Sequence, residues 1–271
     1  MKRPRPRGNC VSSSITSDCQ SRSPPRGGPA RLRVRLPLAS IDRRLSLPFR
    51  VLRPRPAMNE VARDALNPTT SHPAVRALVL NGALPGDEML GPVEEVLLSL
   101  LRDTGSEVRH YSMRDVPLAY CQGCFECWTH SPGLCKTEGD AGRELAGAII
   151  GSDLLVILTP ITFGGYSSEI KKVLDRSICL VQPFFRRVNG EVHHRPRYRR
   201  FPATAAVGVI REPDEEQERI FRTLVERNAI NMDSPATAVC VLGPETGPEH
   251  LRHRLDTELA PVLQRLAGRV A

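Results

Sequence analysis

The chain has 271 residues, 25% of them charged and 40% hydrophobic, with a net charge of +8. The length allows one large domain or two small ones, and no apolar run is long enough to cross a membrane as a helix. The charge is uneven: residues 1–57 carry fourteen Lys and Arg against two acids, so the remainder is net acidic, and the basic balance does not mark a nucleic-acid partner.

Residues 1–57 are rich in Pro, Arg and Ser and have no periodicity. Such a segment buries too little apolar area to offset its ordering entropy. The expectation is a disordered basic extension over residues 1–73 and one domain over residues 74–271; Met58 can itself begin a complete domain. The start lacks the apolar core and cleavage site of a secretory signal. A cytoplasmic location with reduced cysteines is therefore expected, which favours metal or redox use over disulfides.

From Ala74 strands and helices alternate. Val75 to Leu80 is a short apolar run ending at Asn81-Gly82, as a buried parallel strand ends. Pro92 suits a first helical position, Val93, Val96, Leu97, Leu100 and Leu101 recur at helical spacing, and Gly105 ends that helix. The pattern continues with a strand over 107–111, a cysteine-rich loop, a helix over 140–150 and a strand over 153–159. Ser167 or Ser168 caps a helix carrying Ile170, Val173, Leu174 and Ile178. Residues 181–200 read as irregular and basic. A strand over 202–210, a helix over 214–229, a strand over 236–242 and a helix over 250–266 complete the chain. Right-handed crossovers turn this order into a doubly wound, five-stranded parallel sheet with helices on both faces. Ligands then bind beyond the carboxyl ends of the strands, where the loops after Leu80, Thr159 and Ile210, with the cysteine loop, are expected.

Cys121, Cys124, Cys127 and Cys135 follow the spacing C-x2-C-x2-C-x7-C, so half of the eight cysteines lie within fifteen residues. Short gaps let successive sulfurs face one centre. Three readings stay open: a [4Fe–4S] cluster on these four residues, a zinc ion, or a reduced, metal-free loop that packs. Trp128 either covers a ligand or packs beneath this loop. His193, His194 and Arg195 to Arg200 read as a solvated basic loop.

The second informative segment runs Thr159-Pro160-Ile161-Thr162-Phe163-Gly164-Gly165-Tyr166, where a buried strand ends in Pro and a Phe-Gly-Gly turn opens a capped helix. Glycines let backbone amides approach a flat ligand. This segment, with Lys171 to Arg176 after it, resembles the second flavin loop of the NADPH-dependent FMN reductase family. The run Cys124 to Trp128, Pro132-Gly133 with Cys135, and Asp140 resemble the subset with a compact cysteine motif, which includes iron–sulfur flavoproteins. The resemblance covers roughly residues 74–242.

It implies a flavodoxin-like fold, bound FMN, NAD(P)H as donor, and a homodimer or homotetramer with flavin at the subunit edge. Its cofactor positions are Asn81, Gly82, Ala83 and Thr159 to Tyr166. The first flavin loop departs from the family pattern: residues 81–88 contain no Ser, Thr, Arg or Lys, and Asp87 and Glu88 repel a phosphate. Backbone amides at Gly82 to Leu84 remain as donors there. No general acid or base stands out. The expected activity passes electrons from NAD(P)H through FMN to a quinone, a flavin or another small acceptor, with no nucleic-acid or membrane partner. The alternative is a non-catalytic module that has lost FMN and binds iron–sulfur or zinc.

Overall fold

The computed structural model describes residues 75–243 and 247–270; the expected extension over residues 1–73 lies outside them. In chain order the elements are β1 (Arg76–Asn81), α1 (Gly91–Asp103), β2 (Glu107–Ser112), α2 (Glu126–Thr129), α3 (Gly142–Gly151), β3 (Leu154–Pro160) and α4 (Ser168–Arg176). They continue with β4 (Val181–Val188), β5 (Glu191–Pro196), β6 (Ala203–Val209), α5 (Glu215–Asn231), β7 (Thr237–Leu242) and α6 (Pro248–Val270). Five strands form one parallel sheet in the order β2-β1-β3-β6-β7, the flavodoxin-like architecture. Among the described residues no helix is long and apolar enough to cross a membrane.

The burial follows from residue type. All seven residues of β3 are buried, as a central strand covered by helices on both faces requires. In β1, Ala77 and Val79 join the core under α1 and α6, while Leu78 and Leu80 join the core under α3, α4 and α5. In α1, Val93, Leu97, Leu100 and Leu101 form the buried stripe. Each such side chain contributes about 1.5–3 kcal/mol relative to exposure.

Residues 181–200 are not irregular. They form the antiparallel hairpin β4–β5, turned by Asn189 and Gly190, both with positive φ. An Asn-Gly pair of this kind closes a two-residue hairpin because its twist matches that of the strands.

The order places the crossover reversal between β1 and β3. Asn81 stands beside Leu158 across the ladder, and the Gly82 N–H donates to the Leu158 carbonyl at 2.7 Å. A Cβ at Gly82 would fall 2.6 Å from Ser167 Oγ and would overlap Ile170 as well. Only glycine lets α4 start this close to the end of β1. Gly82→Ala therefore costs about 1–3 kcal/mol through overpacking. Gly91→Ala, where nothing lies within 4 Å, changes stability by under about 0.5 kcal/mol. Urea denaturation of the two variants checks the difference.

Candidate functional site

The exit of β3 is built from the inside outward. Thr159, Pro160 and Ile161 are buried, so they hold the turn in place. Thr159 Oγ1 donates to the Pro160 carbonyl at 3.0 Å and accepts the Ser167 N–H at 2.9 Å. The Ile161 N–H donates to the Val209 carbonyl, which ties the turn to the end of β6. Thr162 and Gly165 then exchange both backbone hydrogen bonds, at 3.0 and 2.9 Å, around Phe163 and Gly164 with φ of 50° and 73°. Two consecutive left-handed residues make a turn that suits Gly or Asn far better than Phe. Phe163 nevertheless occupies it, with 93% of its surface exposed. The Gly164 N–H donates to Gln217 Oε1 at 3.3 Å, and a Cβ there would strike Ile220, so α5 supports the turn from behind. Tyr166 turns onto Phe221 at 5.5 Å, and burial pushes its phenol up to about 12.

The expected loops after β1, β3 and β6 thus meet at one edge. The first loop is already committed internally. Asn81 Oδ1 accepts the Ala83 N–H at 2.8 Å, and the Gly82 N–H is held by Leu158. Two of the three amides expected to bind phosphate are therefore spent on the loop itself. The exposed turn presents an uncharged aromatic surface, and in the first loop the Leu84 N–H is the one expected donor left for a phosphate, beside Asp87 and Glu88. None of four well-formed cavities among the described residues is lined by either segment, because the turn is a convex tip facing solvent.

The cysteine loop lies elsewhere. Cys121, Cys124, Cys127 and Cys135 line one cavity of about 330 Å³, closed on its other side by Leu174 and Arg176 near the end of α4. This cavity adjoins the last residues of α4, whereas the Phe163 turn precedes its first, so the length of the helix lies between them along the chain. An ion pair fixes that end. Arg176, 3% exposed, donates to Asp140, 9% exposed, at 2.7 and 3.0 Å, and to the Ala119 carbonyl at 3.0 Å. Asp140 also accepts the Ala119 and Gly142 N–H groups. Burial raises the Asp140 carboxyl, but its bonds from Arg176, Gly142 and Ala119 outweigh burial and hold it below the usual carboxylate value. Gly142 is required here, since a Cβ would overlap the Arg176 guanidinium.

The cavity has a mixed wall. Burial, then the neighbouring Cys135, Cys121 and Cys124, push the Cys127 thiol up. Beneath it, burial and then Cys127 and Cys135 push Cys179 up to about 11. Lys136 pairs with Glu126 at 2.6 Å on the rim, and Arg176 Nε is buried with no hydrogen-bond partner. Four sulfurs line one cavity together with the Arg176 side chain, whose positive charge favours thiolates there. Among the described residues, no group of three or more His, Cys, Asp or Glu is arranged to hold a metal ion as it stands.

Trp128 packs rather than faces a ligand edge. Its Nε1–H donates to the Ile178 carbonyl at 3.0 Å, and its ring lies against Phe125 and His194. A contribution missed by sequence reasoning is Arg197, which follows β5. It donates to the carbonyls of Cys179 and Val181 at 2.9 and 3.1 Å and reaches that of Cys127 at 3.5 Å. No local pattern marks such a link, since its partners lie 16 to 70 residues away.

Fold, strand order and the placement of the β3 turn define a flavodoxin-like α/β protein. The family model for NADPH-dependent FMN reductase matches residues 75–239, and the chain belongs to that family. An iron-sulfur flavoprotein of Archaeoglobus fulgidus is 30% identical over 95 residues, 35% of this chain and 47% of the relative. The chain thus spans about half the length of that curated relative. Two solved structures share the fold. One is an FMN-dependent NADH-azoreductase from Bacillus anthracis in complex with FMN, at TM-score 0.51 and 11% identity, covering 71% of this chain and 99% of that one. The other is an NAD(P)H:quinone oxidoreductase from Methanothermobacter marburgensis, at TM-score 0.50 and 13% identity, covering 72% and 94%.

The buried pair generates a pH prediction. The lowered Asp140 value means that its contribution is complete above the unfolded carboxylate value of about 3.9. It is lost as pH falls through the lower folded value. Asp140→Asn leaves Arg176 uncompensated and costs about 3 kcal/mol at neutral pH, with a smaller loss in strong acid. Denaturation midpoints of both proteins from pH 7 to pH 2 measure it.

Proposed function

We infer that the protein is a flavin-dependent oxidoreductase driven by NAD(P)H. The observation that carries this reading is the β3 turn: a solvent-facing Phe163 held in a left-handed conformation at the carboxyl edge of the sheet. Left-handed backbone at a bulky residue costs about 1–2 kcal/mol, and such strain is kept where function uses the exposed group. In this reading Thr162, Phe163, Gly164 and Gly165 present a flat face and backbone groups to the ring. Thr159, Pro160 and Ile161 fix that face, Tyr166 supports it from the core, and Asn81, Gly82 and Ala83 wall the tail. The chemistry is the flavin's: two-electron transfer from a reduced nicotinamide to a small acceptor such as a quinone or a free flavin. The open tip requires a second wall to exclude water, which a homodimer or homotetramer supplies.

One observation favours a second reading. The thiol cavity, lined by four cysteines beside the Arg176 side chain, supports a cluster-binding module in which Cys121, Cys124, Cys127 and Cys135 hold [4Fe–4S], with or without flavin. Iron and sulfide assays on anaerobically purified protein test it. Near four of each per chain supports a cluster of this type, and none of either removes it.

For the first reading, protein titrated with flavin quenches and red-shifts the flavin spectrum, and protein that perturbs no flavin at saturating concentration overturns it. Phe163→Gly relieves the left-handed strain and raises stability by about 1 kcal/mol. The same change removes the stacking ring and weakens flavin binding about tenfold. Denaturation and fluorescence titration of this one variant read both effects.

A further inference from the structure

We propose that the flavin taken by this site is one without a terminal phosphate, riboflavin in preference to FMN; this rests on the flavin reading of the β3 turn. In a sheet that changes crossover direction between β1 and β3, the ligand's phosphate falls at the first strand-to-helix loop, where free amides, a helix N-terminus or cations receive it.

Of those three receivers, the loop after β1 keeps only a few free amides. Half of its amides are used: Gly82 donates to Leu158, Ala83 to Asn81 Oδ1, Asp87 to Leu84, Met89 to Asp87 Oδ1 and Gly91 to Glu88, and Pro85 has none, which leaves Leu84 and Gly86 as the donors before the two acids. The helix N-terminus is withdrawn, since α1 starts only at Gly91 behind a buried Leu90, with Pro92 and Glu94 in its first turn. Cations are lacking, since residues 82–90 hold no Lys, Arg or hydroxyl and instead carry Asp87 and Glu88. The neighbouring helix brings no free cation, and Ser168 is its one hydroxyl without a bond among the described residues. Ser167 Oγ accepts the Ile170 N–H, Lys171 is paired with Asp175, and Lys172 with Glu169 at 2.6 Å.

A dianion placed there meets two carboxylates, no cation and few free amides, whereas the ring turn, with uncharged Thr162, Phe163, Gly164 and Gly165, is indifferent to the tail's charge. A hydroxyl at the end of the ribityl chain removes the repulsion and can still donate to backbone carbonyls.

The test is fluorescence titration of the full chain with riboflavin and with FMN at low salt. Riboflavin is expected to bind at least as tightly as FMN. Glu88→Lys, on an exposed side chain with no hydrogen bond among the described residues, is expected to tighten FMN about tenfold while leaving riboflavin unchanged. FMN binding more than about threefold tighter than riboflavin, or a Glu88→Lys effect equal for both, overturns the proposal and leaves the flavin reading standing. Failure of either flavin to bind overturns the flavin reading itself.

Discussion

Helix α4 is clamped at both ends by buried polar contacts, and both segments of chemical interest take their position from it. At its start the Thr159 hydroxyl receives the Ser167 N–H, the Ser167 hydroxyl receives the Ile170 N–H, and the missing side chain of Gly82 leaves room for Ile170. At its end Arg176 is locked to Asp140. Side chains this deeply buried tolerate no loss of a partner. The helix therefore cannot slide, and the turn before it and the loop beside its end are fixed with it.

The two ends differ in chemistry. The first carries an aromatic ring on a strained, uncharged turn, supported by the amide group of Gln217 and the side chain of Ile220. The second gathers sulfurs near Arg176 and Lys136, whose charges act on Cys121, Cys124 and Cys135. A planar neutral body suits the first and an anionic sulfur-bound group the second. The separation along α4 keeps either from occupying the other's place. The hairpin β4–β5 leads into Arg197, which closes the thiol end from below by holding the carbonyls of Cys127, Cys179 and Val181.

Much of this was legible in the sequence because it depends on local chemistry. The apolar run of β3, the Ser167 cap and Pro92 at the start of α1 each act through residues within one turn, and all three stand where they were read. The hairpin was legible too, through Asn189-Gly190, but the density of Arg and His around it read as a charged loop. What could not be read was set by distance. Nothing in the spacing of four cysteines says which end of a later helix they face; that depends on Asp140 meeting Arg176, 36 residues on. Nor does a free-looking Asn81-Gly82-Ala83 reveal that its amides are spent on Leu158 and on the asparagine's own side chain.

A crystal structure of the protein grown with saturating riboflavin tests the central claim most directly. The account predicts the ring against Thr162 to Gly165, at the amino-terminal end of α4, with the thiol cavity free of flavin. A ring lodged between the cysteine loop and Arg176 would contradict it.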